Sequence, residues 1–267
     1  MNGGSAPLGM FDSGVGGLSV LAGVRELAPD ERVLYVADQA WAPYGERSLI
    51  EVRERSFAVV RRLVDLDAKA VVVACNTASA AALHELRRAM PDVPFIGMEP
   101  AVKPAAAQSK GGVIGVLATS ATFQGELYAS VVDRHAAGVE VVERVGRGLV
   151  ELVEARRLDD PAVEAGVAAH LAPLVDAGVD TLVLGCTHYS FLAGVMRRHL
   201  GAGVTVIDPA PAVARQVVRV LDEGDLRAPP GDGGVVYLTS GDPIRLAGQV
   251  ERLLGDPNPD TGRFEVL

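Results

Sequence analysis

The chain contains two cysteines, and each closes a run of branched apolar residues: "VVVACNTAS" at 71–79 and "LVLGCTHYS" at 182–190. Small hydroxyl, amide or imidazole residues follow at once, Asn76–Thr77 after Cys75 and Thr187–His188 after Cys186. A short apolar run without polar alternation reads as a strand buried on both faces. Each cysteine therefore stands at the carboxyl end of a strand, immediately before a helix. In open α/β sheets that edge is where ligands bind. The unpaired N–H groups and the dipole of a helix N-terminus attract carboxylates, and the same field pulls a thiol's pKa from about 8.5 toward neutrality. Two such motifs facing one another across a cleft offer two thiols beside an anion site. Their chemistry would be to take a proton from one face of a small anionic carbon acid and deliver one to the other.

Competing readings exist for each motif. A single cysteine is more often a small buried hydrophobe, and only the matched setting of the pair argues for reactivity. Cys186-x-His188 offers two metal ligands, but no CxxC, HExxH or histidine pair completes a set, so no metal is expected. The loop "DSGVGG" at 12–17 lies between a strand and a helix. Gly14 and Gly16 fit the start of a dinucleotide fingerprint, and Asp38 ends the next strand about 20 residues on, where a ribose-binding acid would stand. Ser19 occupies the third glycine's place, and a glycine-rich strand end equally suits an amino-acid backbone. Asp12 suits a substrate ammonium or the proton of Cys75, or else N-caps the first helix. Tyr44 suits a distal carboxylate, or else packs beside Pro43. His84, His135, His170 and His199 fall within or at the ends of predicted helices, facing solvent.

The totals narrow the setting. A chain of 267 residues, 49% hydrophobic, suits one large domain or two modest ones. No apolar stretch approaches the ~20 residues of a membrane span, and the opening "MNGGSAPLGMFDSG" lacks the features of a secretion signal. We therefore expect no membrane association and a cytoplasmic location, where thiols stay reduced. The formal charge of −9 with no basic stripe argues against nucleic acid. An anionic substrate needs local donors that work against this overall field. The only lysines, Lys69, Lys103 and Lys110, lie outside the motifs. That limits cofactors held as Schiff bases, and no cofactor is expected.

These residues need a scaffold, and the pattern supplies one. Strands are predicted over Leu8–Phe11, Arg32–Val36, Ala70–Ala74, Phe95–Gly97, Val113–Ala118, Val139–Arg144, Thr181–Leu184, Val204–Ile207 and Val235–Thr239. Helical signals lie between most of them. Ser48 and Glu51 form a capping box, Asp160–Pro161 and Asp242–Pro243 read as N-cap and first turn, and Gly178 closes the helix that begins near Pro161. Strand–helix alternation implies an α/β fold of mostly parallel sheets flanked by helices. The Pro/Gly/Ala-rich stretch at 97–112 and "IDPAP" at 207–211 read as crossings between two units. One unit is then 1–97 plus 208–255 and the other 98–207, with one cysteine motif in each. The remainder, 256–267, has two prolines and no periodicity and reads as a tail.

With these motifs in place, the chain resembles the glutamate racemase family. "FDSGVGGLSV", "PYG" at 43–45, "ACNTAS" at 74–79, "GVLAT" at 115–119, "LVE" at 152–154, "LGCTHY" at 184–189 and "TSGD" at 239–242 follow that family's order up to the tail. The resemblance implies two pseudo-symmetric α/β domains with the active site in the cleft between them. It implies cofactor-independent interconversion of L- and D-glutamate, supplying D-glutamate for peptidoglycan, in a homodimer. Cys75 and Cys186 resemble its acid/base thiols, Cys75 serving D-glutamate and Cys186 serving L-glutamate. Asp12, Ser13, Tyr44, Gly45, Asn76, Thr77, Thr187 and His188 resemble its glutamate-holding residues, with the glycines of the first loop letting the backbone approach the ligand. Asp12, His188 and Glu154 are implied as auxiliaries to the thiols. Three departures stand out: "ADQAWAPYG" before and through PYG, "RVGRGLVELVE" without the family's Cys-Pro, and Ser190 where proline is common. The rivals are a related racemase or decarboxylase acting on aspartate, a hydantoin or an aryl malonate, and a nucleotide-binding or interaction protein on the same fold.

Overall fold

The structure is a computed structural model that describes residues 4–158 and 160–265; residues 1–3, 159, 266 and 267, which fall within the expected units and tail, lie outside that set. Strands and helices alternate along the chain. The first stretch runs β1 (Leu8–Asp12), α1 (Leu18–Leu27), β2 (Arg32–Ala37), α2 (Leu49–Asp65), β3 (Ala70–Val73), α3 (Asn76–Ala89) and β4 (Phe95–Gly97). A second runs α4 (Val102–Gln108), β5 (Val113–Ala118), α5 (Ser120–Gln124), α6 (Glu126–His135), β6 (Glu140–Val145), α7 (Leu149–Glu154), α8 (Pro161–Asp176), β7 (Thr181–Gly185), α9 (Ala193–Leu200) and β8 (Thr205–Ile207). The chain then returns through α10 (Ala210–Glu223), β9 (Gly234–Thr239), α11 (Pro243–Leu254) and β10 (Asp260–Arg263).

Among the described residues these strands form two sheets, ordered β10-β9-β2-β1-β3-β4 and β6-β5-β7-β8. Every pairing is parallel. The two orders share one pattern, because β2-β1-β3-β4 has the same winding as β6-β5-β7-β8. In the first sheet the chain leaves β1 to one side and returns to the other, so the order reverses between β1 and β3. The equivalent reversal in the second sheet lies between β5 and β7. Ligand crevices form at such switch points, outside the carboxyl ends of the strands. Cys75 follows β3 and Cys186 follows β7, one at each reversal.

The apolar runs explain why these strands are central. β1, β3 and β7 are buried along their whole length. Alternate residues point to opposite faces of a strand, and on β3 they enter different cores: Ala70 and Val72 one, Val71 and Val73 another. The first of these cores is continuous through both halves. It joins α1 and α10 over the first sheet to α8 and α9 against the second. α10 presents Val213, Ala214, Val217 and Leu221 to it at helical spacing. The expected caps are present. Ser48 and Glu51 form the reciprocal box, Asp160 and Asp242 accept from Ala162 and Ile244, and Gly178 takes a left-handed φ just beyond α8.

At the opposite, amino edge of the first sheet, Lys69 is buried against Glu31 at 2.6 Å and donates to the Gly4 carbonyl at 2.6 Å. That lysine faces away from the strand ends that carry the cysteines.

The segment expected to be a tail is structured. Residues 260–263 add β10 in parallel to β9, with Asp260 opposite Val236 and Arg263 opposite Thr239. Phe264 donates its N–H to the Thr239 carbonyl at 2.8 Å and buries its ring in the core beneath α2 and α3. A half-exposed edge strand of sequence DTGR carries no hydrophobic period, so pattern alone reads it as coil. We expect Phe264→Ala to destabilise the protein by about 3 kcal/mol, read as a lower urea midpoint at unchanged slope; an unaltered midpoint would mean the segment is a dispensable tail.

Candidate active site

A cavity of about 440 Å³ opens where the two sheets' carboxyl edges meet. Ser13, Tyr44, Gly45, Cys75, Asn76 and Thr77 from the first half line it, facing Cys186, Thr187 and His188 from the second. The expected Asp12 and Glu154 stand behind this wall. Both thiols are free and nearly buried, 5% and 6% exposed. Among the described residues no cluster of three His, Cys, Asp or Glu side chains is arranged to hold a metal.

On one side Cys75 is itself the N-cap of α3, its Sγ accepting the Ala78 N–H at 3.5 Å. Asn76, 3% exposed, has neither its amide nitrogen nor its oxygen hydrogen-bonded. A buried, unsatisfied amide on a cavity wall is a costly arrangement that a polar ligand relieves. Thr77 Oγ1 lies 2.9 Å from Thr119 Oγ1, which lies 2.9 Å from Thr122 Oγ1. The helix field does not lower this thiol as the sequence suggests. Burial pushes Cys75 up, the nearby Asp12 carboxylate adds to the rise, and the N–H groups of Ala78 and Ser13 only partly offset both. Desolvation of the charged form outweighs a helix terminus here, so Cys75 rests as a thiol.

The other side is built differently. Cys186 is followed by a 3₁₀ turn over Thr187–Leu192 rather than an α-helix. His188 Nδ1 lies 3.7 Å from Cys186 Sγ, and its Nε2 lies 2.8 Å from Glu154 Oε1. Burial alone would lower the imidazolium, but Cys186 and Glu154 hold it well above the ordinary histidine value. Burial also works against the Glu154 charge, yet His188, the Val15 N–H and Gln39 together bring that carboxyl down to about 2. Glu154 therefore stays ionised, and His188 directs its Nε2 proton at it. Thr187 Oγ1 donates to Asp12 Oδ2 at 2.9 Å. Asp12 also accepts the Gly14 N–H at 2.7 Å, so it closes the loop rather than capping α1, whose N-cap is Gly17. Burial raises Asp12, against the opposing pull of His188.

The glycine loop serves these contacts. A methyl on Gly14 would collide with Glu154 Oε1, and one on Gly16 with His188 Nδ1 and Thr187 Oγ1. The glycines thus admit side chains of the second half, where the sequence suggests a ligand. Nor is Asp38 a ribose acid. Its carboxylate takes both Arg55 nitrogens at 2.8 and 2.7 Å, the Tyr44 hydroxyl at 2.5 Å and the Ser240 hydroxyl at 2.7 Å. Tyr44 therefore lines the cavity with its hydroxyl already donated away from it. The altered "ADQAWAPYG" segment stacks Trp41 beneath Arg47 and Arg55, 4.7 and 5.1 Å from the ring. Ser190, standing for proline, donates to Asp208 Oδ1, which also accepts the Ala210 N–H at the start of α10. Of the remaining histidines, His170 is half-buried, with Nε2 2.9 Å from the Arg147 carbonyl.

Several site residues escape sequence reasoning. Arg47, Arg147, Ser120 and Gln124 line the cavity mouth, and Gln39 and Gln249 back Glu154. The available signal for Gln249 is a lone amide between Leu246 and Val250 on the buried face of α11.

Two like α/β halves thus close one cavity around a pair of thiols. Residues 18–217 match the family described as Asp/Glu/Hydantoin racemase, and the chain belongs to that family. A glutamate racemase of Roseiflexus sp. (strain RS-1) is 49% identical over 249 residues, covering 92% of each chain. The crystal structure of glutamate racemase isoform RacE1 from Bacillus anthracis superposes with a TM-score of 0.90 at 33% identity, covering 98% of both chains. Escherichia coli glutamate racemase, solved in complex with L-glutamate and the activator UDP-MurNAc-ala, gives a TM-score of 0.85 at 32% identity over 98% of this chain and 99% of that one. The chain stands among the glutamate racemases and is an isomerase.

The two sides differ in thiol chemistry, which labelling can read. At pH 7 limiting iodoacetamide should modify Cys186 before Cys75, because His188 stands beside the Cys186 sulfur while burial holds Cys75 protonated. His188→Asn should slow labelling of Cys186 several-fold and leave Cys75 unchanged, as followed by peptide mass spectrometry. Faster labelling of Cys75 would contradict this asymmetry.

Proposed function

We propose that the cavity interconverts L- and D-glutamate with Cys75 and Cys186 as its two acid/base groups. The observation that carries the reading is the placement of one thiol at each of two equivalent switch points, on the walls of one cavity. With L-glutamate bound, Cys186, relieved of its proton through His188, takes the α-proton. Cys75, resting as a thiol, delivers its own proton to the opposite face. The products are D-glutamate, protonated Cys186 and a Cys75 thiolate; exchange with solvent then returns a proton to Cys75 and removes one from Cys186. Reversal begins from the Cys75 thiolate.

The substrate's charge has partners in this reading. The α-carboxylate meets the free Asn76 amide and the N–H groups at the start of α3, and the negative charge that develops on it in the transition state is held there. Thr77, Thr187 and Ser13 hold the amino-acid core, Asp12 orients the polar end, and the backbone of Tyr44 and Gly45 faces the distal carboxylate beside Arg47. The proposal extends to two domains, 1–97 with 208–255 and 98–207, closing on the substrate. It includes a homodimer, a cytoplasmic setting, independence of metal and organic cofactors, and delivery of D-glutamate to peptidoglycan synthesis. Among the described residues no helix is long and apolar enough to cross a membrane.

The test is a circular-dichroism racemisation assay on dialysed, chelator-treated protein with both glutamate enantiomers and a panel of other amino acids. Wild type should racemise glutamate well above aspartate. Cys75→Ser and Cys186→Ser should each lose roughly 10²–10⁴-fold, the range of a single acid/base group. Asn76→Ala should raise KM as well as lower kcat, since it holds both ground and transition states. Full activity in either serine variant would end the two-thiol reading.

A further inference from the structure

Behind the cavity wall, Glu154 is the meeting point of both halves. Its Oε1 accepts the Val15 N–H at 2.8 Å and faces His188 Nε2 at 2.8 Å. Its Oε2 accepts from Gln39 Nε2 at 3.1 Å and from Gln249 Nε2 at 3.0 Å. Gln249, fully buried on α11, also donates to the Glu154 backbone carbonyl at 2.7 Å and accepts the second Gln39 N–H at 2.7 Å. Gln39 Oε1 in turn accepts the Thr239 hydroxyl at 3.1 Å. Every amide proton of the two glutamines is thus committed, which fixes the orientation of both amides.

Val15, Gln39 and Gln249 belong to the half built on the first sheet, whereas Glu154 and His188 belong to the other. We propose that Gln39 and Gln249 are positioning residues, a cross-cleft clasp that locks the Glu154 carboxylate and through it aims His188 Nδ1 at Cys186. Among the described residues the Glu154 oxygens are hydrogen-bonded within their own half only to His188, and the partners on Oε2 are the two glutamines. Among the described residues no such pair of amides serves the Cys75 side, where Asp12 is held by Gly14, Ser13 and Thr187. The clasp therefore serves one thiol of the two. The charged and titratable groups that face the clasped pair are Cys186 and Asp12 around His188, the Tyr35 phenol beside Glu154, and the Arg245 guanidinium, 3.5 Å from the Glu154 carbonyl.

The clasp's kinetic consequence rests on the racemase reading, and one constraint shapes its test. Two enantiomers are equally stable, so the ratio of kcat/KM in the two directions is pinned at unity whatever is mutated. A defect confined to Cys186 shows instead in which proton transfer limits the rate. Gln249→Met and Gln39→Met keep side-chain length and remove the donors. In ¹⁵N-histidine spectra of the resting protein, assigned by loss of signal in His188→Asn, the His188 titration midpoint should fall by about one unit, a tenfold change. In racemisation, kcat/KM should fall about tenfold for both enantiomers together. The α-deuterium isotope effect should rise for L-glutamate and fall for D-glutamate. The proposal is overturned if His188 titrates as in wild type, or if the variants lose only thermal stability while both isotope effects stay as they were. The histidine readout needs neither substrate nor turnover, so failure of the clasp is distinguishable from failure of the racemase reading.

Discussion

Charge held away from water is the constraint on which this structure turns. Proton transfer at carbon needs a base in a nearly dry cavity, and dryness disfavours every anionic base placed there. At Cys75 the N–H of Ala78 in the first turn of α3 and that of Ser13 in the loop after β1 do not offset burial. At Cys186 the surroundings differ: His188 Nδ1 sits 3.7 Å from the sulfur and is itself anchored by an ionised Glu154. Glu154 keeps its charge only because four donors converge on its two oxygens. Without them, burial would push the same carboxyl upward.

The two halves thus share a backbone plan and differ in chemistry. Equivalent strand orders bring Cys75 and Cys186 to equivalent edges. The end of β1 supplies a carboxylate at Asp12, while the equivalent end of β5 leads into hydroxyls at Thr119 and, in the first turn of α5, Thr122. This asymmetry sets Cys75, held protonated by burial, apart from Cys186, which has His188 and Glu154 beside it. An enzyme for two isoenergetic enantiomers gains no thermodynamic bias from it. The arrangement sets which protonation state waits for substrate.

Much of this was legible in the residues themselves. Unbroken apolar runs at 71–74 and 182–184 announce central strands, and a polar turn after each announces a strand edge. Proline and aspartate at helix starts mark caps by a local mechanism, so Asp160 and Asp242 were readable. Partnerships across the cleft were not. Asp38 reads as a ribose acid until Arg55, Tyr44 and Ser240 are seen to fill its oxygens. The glycines of the first loop read as room for a ligand, and they make room for Glu154 and His188. The direction of the Cys75 shift depends on burial depth, which no spacing records. β10 escaped because an edge strand with polar residues has no period to detect.

The central claim is that two fixed thiols work from opposite faces, and a single-turnover reaction in D₂O tests it most directly. A thiol pre-exchanged with solvent carries deuterium, and the group that delivers is not the group that abstracts. With enzyme in excess over L-glutamate, the D-glutamate formed should carry deuterium at Cα, as read by mass spectrometry or proton NMR. D-glutamate that retains the original α-proton would contradict the account. It would mean that one group carries the proton from face to face and that the matched cysteines do not divide the work.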